Sequence, residues 1–192
     1  AGVGTHTITY TITEGNGCIG SANDTLEVFG VAPMILALAD ITVNNDSGEC
    51  GAIVPFAAAD ETGIPNSVIT YDIQPNSLFE VGNTTVTATA TNVVGSSILT
   101  FDVTVIDDEA PEITLNDAES VTHNAFAAYT DLGATTADNC SATLVTTDNV
   151  DVNVVGTYTV TYTATDGSGN ETTANRTVNV VDTTAPNVLT QN

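Results

Sequence analysis

One alternating phrase occurs three times in this chain. It runs Gly4-Thr5-His6-Thr7-Ile8-Thr9-Tyr10-Thr11-Ile12-Thr13, then Gly82-Asn83-Thr84-Thr85-Val86-Thr87-Ala88-Thr89-Ala90-Thr91, then Gly156-Thr157-Tyr158-Thr159-Val160-Thr161-Tyr162-Thr163-Ala164-Thr165. Apolar residues at every second position with β-branched threonines between them make a half-buried antiparallel strand. Each copy leads into a turn: Glu14-Gly15-Asn16-Gly17, Asn92-Val93-Val94-Gly95, or Asp166-Gly167-Ser168-Gly169-Asn170. A second alternating strand is predicted after each turn, over Thr25 to Phe29, Thr100 to Ile106 and Arg176 to Val181. Each repeat therefore ends in a β-hairpin. The spacing of the copies is that of one small domain, so the chain reads as an array of units.

The stretch Val105-Ile106-Asp107-Asp108-Glu109-Ala110-Pro111 matches Val180-Val181-Asp182-Thr183-Thr184-Ala185-Pro186 and marks the linkers. Proline lacks an amide proton and fixes φ, which stops a strand and stiffens the passage onward. These marks predict four parts. Residues 1–34 are the final hairpin of a truncated repeat, 35–107 and 108–182 are complete units, and 183–192 begin another. Several short strands per unit and no readable helix predict an all-β fold of tandem immunoglobulin-like (Ig-like) β-sandwiches. The chain starts mid-repeat with no visible signal peptide, which reads as a processed or excised segment.

The charge is lopsided. Twenty-four acidic residues face a single arginine, Arg176, with no lysine, for a net charge of −23. Such a surface cannot neutralise phosphates, so nucleic acid is excluded as a partner. An anionic membrane surface is disfavoured on the same ground. The longest apolar run, Val31 to Ala39, is short and contains Pro33, so no membrane insertion is predicted. Divalent cations are the favoured small partners.

Cys18, Cys50 and Cys140 fall one per repeat, so no repeat is expected to close a disulfide of its own. Cys18 is left to pair with a residue upstream of Ala1. His6 and His123 lie far from any CxxC spacing, which argues against a zinc site. Neither histidine stands in a pattern that suggests a catalytic triad. No phosphate-cradling glycine loop precedes a helix. Small threonine-rich sandwiches offer no deep cleft for a pair of catalytic carboxylates. The chain is read as non-catalytic.

The residues carry two resemblances. Asp46-Ser47-Gly48-Glu49-Cys50-Gly51-Ala52-Ile53-Val54, Phe79-Glu80-Val81-Gly82-Asn83-Thr84-Thr85-Val86 and Phe101-Asp102-Val103-Thr104-Val105 resemble the HYR (hyalin) repeat, an Ig-like module. That family commonly carries more cysteines, and Ser96-Ser97 stand where one is wanted, which implies that Cys50 has lost its partner. Tyr129-Thr130-Asp131-Leu132-Gly133-Ala134-Thr135-Thr136-Ala137-Asp138-Asn139, with Val155-Gly156-Thr157-Tyr158 and Asp166-Gly167-Ser168-Gly169-Asn170, resembles the bacterial Ig-like repeat of surface proteins. The opening hairpin is similar to repeats of very long Bacteroidetes surface adhesins, among them those of gliding motility.

These resemblances imply a structural stalk or filament segment of a secreted, extracellular cell-surface adhesin. Its partners would be neighbouring repeats of the same chain and an external surface or glycan ligand. The alternatives are a carbohydrate-binding sandwich or an accessory segment of a secreted enzyme. A carbohydrate platform wants exposed aromatics in a row, whereas Tyr158 and Tyr162 alternate on the predicted core face.

In such sandwiches Asp166 and Asn170 are expected to gather with Asp138 and Asn139, near linker residues Asp107, Asp108 and Glu109. Carboxylate and amide oxygens on loops are what calcium takes. A calcium ion is therefore expected at the junction of the two complete units, and a likeness to cadherin-style linkers, with Asp followed closely by Ala-Pro, implies the same. The competing reading is that these Asp and Asn residues simply make turns. The loop Asn92-Val93-Val94-Gly95 lacks the aspartate, so its seam is expected to bind weakly or not at all. Asp24-Thr25-Leu26 and Asp182-Thr183-Thr184 resemble O-glycan acceptor sites, which makes Thr25 and Thr183 candidates.

Overall fold

The computed structural model describes residues 2–186. Every regular element among them is a β-strand, and the chain divides into two compact units. One comprises Ala1–Val43 and Ala52–Val105, the other Asn44–Gly51 and Ile106–Asn192. Residues 187–192, most of the segment expected to begin another repeat, lie outside the described residues.

The first unit opens with β1 (Gly4–Thr13) and β2 (Ile19–Val28), paired in one antiparallel ribbon. It continues with β3 (Val31–Ile35), β4 (Ile41–Asn44), β5 (Gly51–Val54), β6 (Glu61–Ile64) and β7 (Val68–Tyr71). β8 (Ser77–Glu80), β9 (Gly82–Thr91) and β10 (Ser96–Ile106) complete it. One four-stranded sheet has the order β4-β10-β9-β7, and β3 with β6 and β5 with β8 form two short pairs. The alternation in β9 works as its sequence dictates: Val86, Ala88 and Ala90 are fully buried while the threonines point outward. Val86 packs with Ala52, Val54, Phe79, Phe101, Val103 and Val105 in the main core. Phe56 joins by edge-on contacts to Tyr71 and Phe101 at 5.3 and 5.2 Å.

The second unit holds β11 (Glu112–Leu115), β12 (Ser120–Asn124), β13 (Ala134–Ala137), β14 (Ala142–Asp148), β15 (Gly156–Asp166) and β16 (Glu171–Val181). Its larger sheet has the order β12-β16-β15-β14, with β12 parallel to β16, and β11 pairs with β13. Val160, Tyr162, Val178 and Val180 form the buried centre. All-strand units of this kind, with sheets packed over one apolar core, are Ig-like β-sandwiches.

The second strand of each hairpin begins earlier than its alternation suggested, at Ile19, Ser96 and Glu171. Register explains this. Tight turns leave each first strand ten or more residues long, and its hairpin partner pairs along nearly all of that length. The wet faces are stitched as well as exposed. Thr9, Thr85, Thr157 and Thr161 donate to the Asn23, Asp102, Asn179 and Asn175 side chains directly opposite, at 2.7–3.0 Å.

The implied loss of a partner for Cys50 is overturned. Cys50 and Cys140 form a disulfide, and only Cys18 is free, exposed in the β1–β2 turn. Counting one cysteine per repeat misplaced Cys50. The β4–β5 connection, residues 44–51, belongs to the second unit, which also contains Cys140. The segment is anchored there by the backbone bond from the Asn45 amide to the Ile106 carbonyl, and the Asp46 amide closes it on the Gly51 carbonyl.

Candidate cation site in the second unit

Three loops of the second unit converge on one group of carboxylates. Asp107 follows the last residue of β10 and is 4% exposed. Its Oδ1 accepts the Glu109 amide and Asn139 Nδ2, both at 3.2 Å, and its Oδ2 accepts the Ser168 hydroxyl at 3.4 Å. Asp138 follows the last residue of β13. Its Oδ2 takes the Cys140 and Ser141 amides at 3.0 Å, the short-range bonding that makes Asp a turn former. Asp166 closes β15. Its Oδ1 takes the amides of Ser168, Gly169 and Asn170, and its Oδ2 takes Asn170 Nδ2 at 2.8 Å. Gly169 permits this wrap with φ at 94°, a conformation costly for other residues. Asn170 also reaches the Asp107 carbonyl at 3.0 Å.

One carboxylate oxygen from each of Asp107, Asp138 and Asp166 lies within 4.8 Å of the other two. Burial opposes the charge on Asp166, but the Asn170 side chain and the three turn amides outweigh it and hold its carboxyl below the ordinary range. Like charges this close repel, and the chain offers no cation to offset them. Its single basic residue, Arg176, is ion-paired with Asp131. Two oxygens at the cluster, Asp138 Oδ1 and Asn139 Oδ1, are buried without any hydrogen-bond partner. Orphaned buried acceptors are rare in folded proteins and call for an ion or a donor. Hard oxygen ligands beside uncompensated negative charge suit calcium.

Of the seven residues predicted for a cation, the structure brings together Asp107, Asp138, Asn139, Asp166 and Asn170, and all seven belong to the second unit. Asp108 and Glu109 do other work. Asp108 is exposed, its carboxylate accepts from Asn44 Nδ2, and its amide donates to Asn45 Oδ1. Glu109 clasps the Gly48 amide with both oxygens, at 2.9 and 3.1 Å. Both thus hold the 44–51 segment. Sequence reasoning missed the disulfide beside the site. Asn139 adjoins Cys140, and its Nδ2 donates to the carbonyl of Glu49, the neighbour of Cys50, at 3.1 Å. The adjacency of Cys140 to the Asp138-Asn139 pair was the available signal.

A second polar centre was also missed. Arg176 is 1% exposed on the inner face of β16. It donates to the Asp131 carboxylate, to the Tyr162 hydroxyl at 2.7 Å, and to the carbonyls of Ala118 and Gly133. Tyr162 and Tyr129 also donate to Asp131, at 2.5 and 3.0 Å. An arginine whose same-face neighbours along β16 are Ala174 and Val178, and which pairs with Val160, was the readable sign of an inward cation. Tyr162 is buried and Tyr158 half-buried, as core packing requires. His6 and His123 contact the carbonyls of Gly2 and Ala127, at 2.6 and 3.1 Å. Thr25 lies on the outer face of β2, and the Thr183 hydroxyl donates to Asn124 Oδ1 at 3.0 Å.

Residues 113–180 match the family described as "Bacterial surface protein, Ig-like domain". Nearly the whole chain is similar to two sea-urchin hyalins. It is 34% identical over 209 aligned residues to that of Strongylocentrotus purpuratus, covering 97% of this chain and 17% of that protein. For Lytechinus variegatus the identity is 32% over 203 residues, covering 96% of this chain and 38% of that protein. The chain thus spans well under half of either relative. Among solved structures it aligns loosely with Sidekick-1 immunoglobulin domains 1–4, at a TM-score of 0.40 and 10% identity, over 90% of this chain and 57% of that one. A likeness this loose bears on neither function nor ligand. Taken with the strand pattern, the matches define the class: tandem Ig-like repeats of the surface-protein kind. Nearly the whole chain is thus similar to hyalin, and its later part matches the bacterial surface Ig-like domain.

Proposed function

We propose that this stretch is a non-catalytic stalk segment of a long extracellular surface adhesin, whose second unit binds calcium through Asp107, Asp138 and Asp166. The observation that carries the calcium reading is the pair of buried, unpartnered oxygens, Asp138 Oδ1 and Asn139 Oδ1, beside three converging carboxylates. Asn139 Oδ1 would be a fourth ligand, while Asn170 and the turn amides hold the carboxylates in place. The ion would supply the positive charge that this cluster lacks. The stalk reading rests on repetition, on the surface-protein family match, and on a disulfide, which favours an oxidising compartment. In the adhesins that the opening hairpin resembles, the surface contacted would be the one a gliding cell crosses. Thr25 and Thr183 are candidate O-glycan acceptors there, and an intact mass equal to the sequence mass in protein from the native host would count against them.

Titration calorimetry with calcium tests the site directly. Binding heat that disappears in Asp138→Ala is expected. No heat in the wild-type chain, together with the same melting temperature in calcium and in chelator, would sink the proposal. The stalk role is tested by exchanging these repeats, within the whole adhesin, for an equal number of unrelated Ig-like repeats. A spacer keeps its adhesion after that exchange, whereas a ligand-binding segment loses it.

A further inference from the structure

The β1–β2 ribbon carries the same phrase as β9 and β15 but not the same burial. Val86, Ala88 and Ala90 in β9, and Val160, Tyr162 and Ala164 in β15, are all 0% exposed. Their counterparts Ile8, Tyr10 and Ile12 are 40%, 56% and 70% exposed. Leu26, across from His6, is 50% exposed, whereas its counterparts Val103 and Val178 are 0%. The ribbon is also alone in its sheet, while β9–β10 and β15–β16 are each flanked on both sides. A lone two-stranded ribbon is marginally stable in water. Its apolar face is a core face that none of the described residues covers.

Register adds a charge to this picture. Ile8 pairs with Asp24 as Val160 pairs with Arg176, so Asp24 stands where the second unit has its buried arginine, and Tyr10 stands where it has Tyr162. In the second unit the inward charge on β16 meets Asp131, which lies in the chain before β15. On β2 the inward charge has the opposite sign.

We infer that the Ile8–Tyr10–Ile12–Leu26 face is one half of a β-sandwich completed by strands that present a lysine or arginine against Asp24 and Tyr10. Those strands come from the repeat that precedes this stretch in the same polypeptide. In both complete units the strands flanking the long hairpin, β4 and β7 or β12 and β14, come before it in sequence. Both hyalins also extend far beyond the region this chain matches. A second copy of this chain does not fit. Its only cation is buried against Asp131, and each copy carries a net charge of −23.

Amide hydrogen exchange decides the matter, comparing the 192-residue chain with one lengthened upstream by a repeat. The expected result is that β1 and β2 amides gain about a hundredfold protection in the longer chain. Asp24→Lys is expected to remove most of that gain while leaving the shorter chain's exchange unchanged. Equal exchange in the two chains would overturn the inference. So would dimerisation of the shorter chain that is abolished by Tyr10→Ser. Full protection in the longer chain carrying Asp24→Lys would overturn the opposed charge.

Discussion

Arg176 is the one basic residue in the sequence, and it is buried where its charge must be matched. Breaking such a pair from one side strands a charge, whereas replacing both partners with apolar residues is often tolerated. Asp131→Asn is therefore expected to lower unfolding free energy by about 3 kcal/mol. The double change Arg176→Met with Asp131→Leu should cost clearly less, with urea unfolding as the measure. The pH response arises from the same cluster. Burial raises the Asp131 carboxyl, but bonds from Tyr162, Arg176, Gly133 and Tyr129 outweigh it and leave it below the ordinary value. Its stabilisation is thus present above the unfolded carboxyl pKa, about 3.9, and is lost as pH falls through the lower folded value. Burial, with the facing Asp131, pushes the phenols of Tyr129 and Tyr162 above their ordinary value. Their contribution is full below about pH 10 and is lost as pH rises through the folded values. Melting temperature against pH should fall at both ends, and Asp131→Asn should flatten the acid limb.

At the scale of elements, the long hairpins were legible because threonine alternation, tight turns and prolines agree. The four-residue strands β5 to β8 were not, since so short a run holds too few alternations to be told from loop. Much of the acidic site could be read for a related reason. Asp138, Asp166 and Asn170 are turn formers at the ends of readable strands, and Asp107 marks a readable linker. What could not be read was the division of labour, in which Asp108 and Glu109 turn to the 44–51 segment. That depends on a loop distant in sequence folding back, which no local pattern encodes. The turn chemistry and the cation reading make separable predictions. Asp138→Asn keeps the turn acceptor but removes one repelling charge. It should raise the melting temperature in chelator and abolish the rise on adding calcium. In the wild-type chain the proposed binding would give a rise of about 2.7 kcal/mol at a hundredfold excess over Kd. Calorimetric melts of both proteins, with and without calcium, check it.

At the scale of the whole molecule, the disulfide is where sequence reasoning failed, because it assigned Cys50 by repeat boundary. Position 50 is early in the chain but folds with the second unit, so a count per repeat could not pair it. Cys50 and Cys140 are 90 residues apart, and closing so long a loop restricts the unfolded chain strongly. The chain-entropy view gives about 4–5 kcal/mol for a loop of that size. Cys50→Ser with Cys140→Ser should lower stability in that range by chemical denaturation, and adding reductant to the double variant should change nothing.

Tension applied to the two ends of this chain takes the shortest covalent route. With the bond closed, that route enters at Cys50, crosses the sulfurs and leaves from Cys140. The residues between them, strands β5 to β13 included, bear no load. Reduction returns them to the load path, adding roughly 300 Å of extendable length at about 3.5 Å per residue. Pulled between its termini, the oxidised protein should stretch that much less than the reduced one. Its reach under shear would then be set by the redox state of its surroundings.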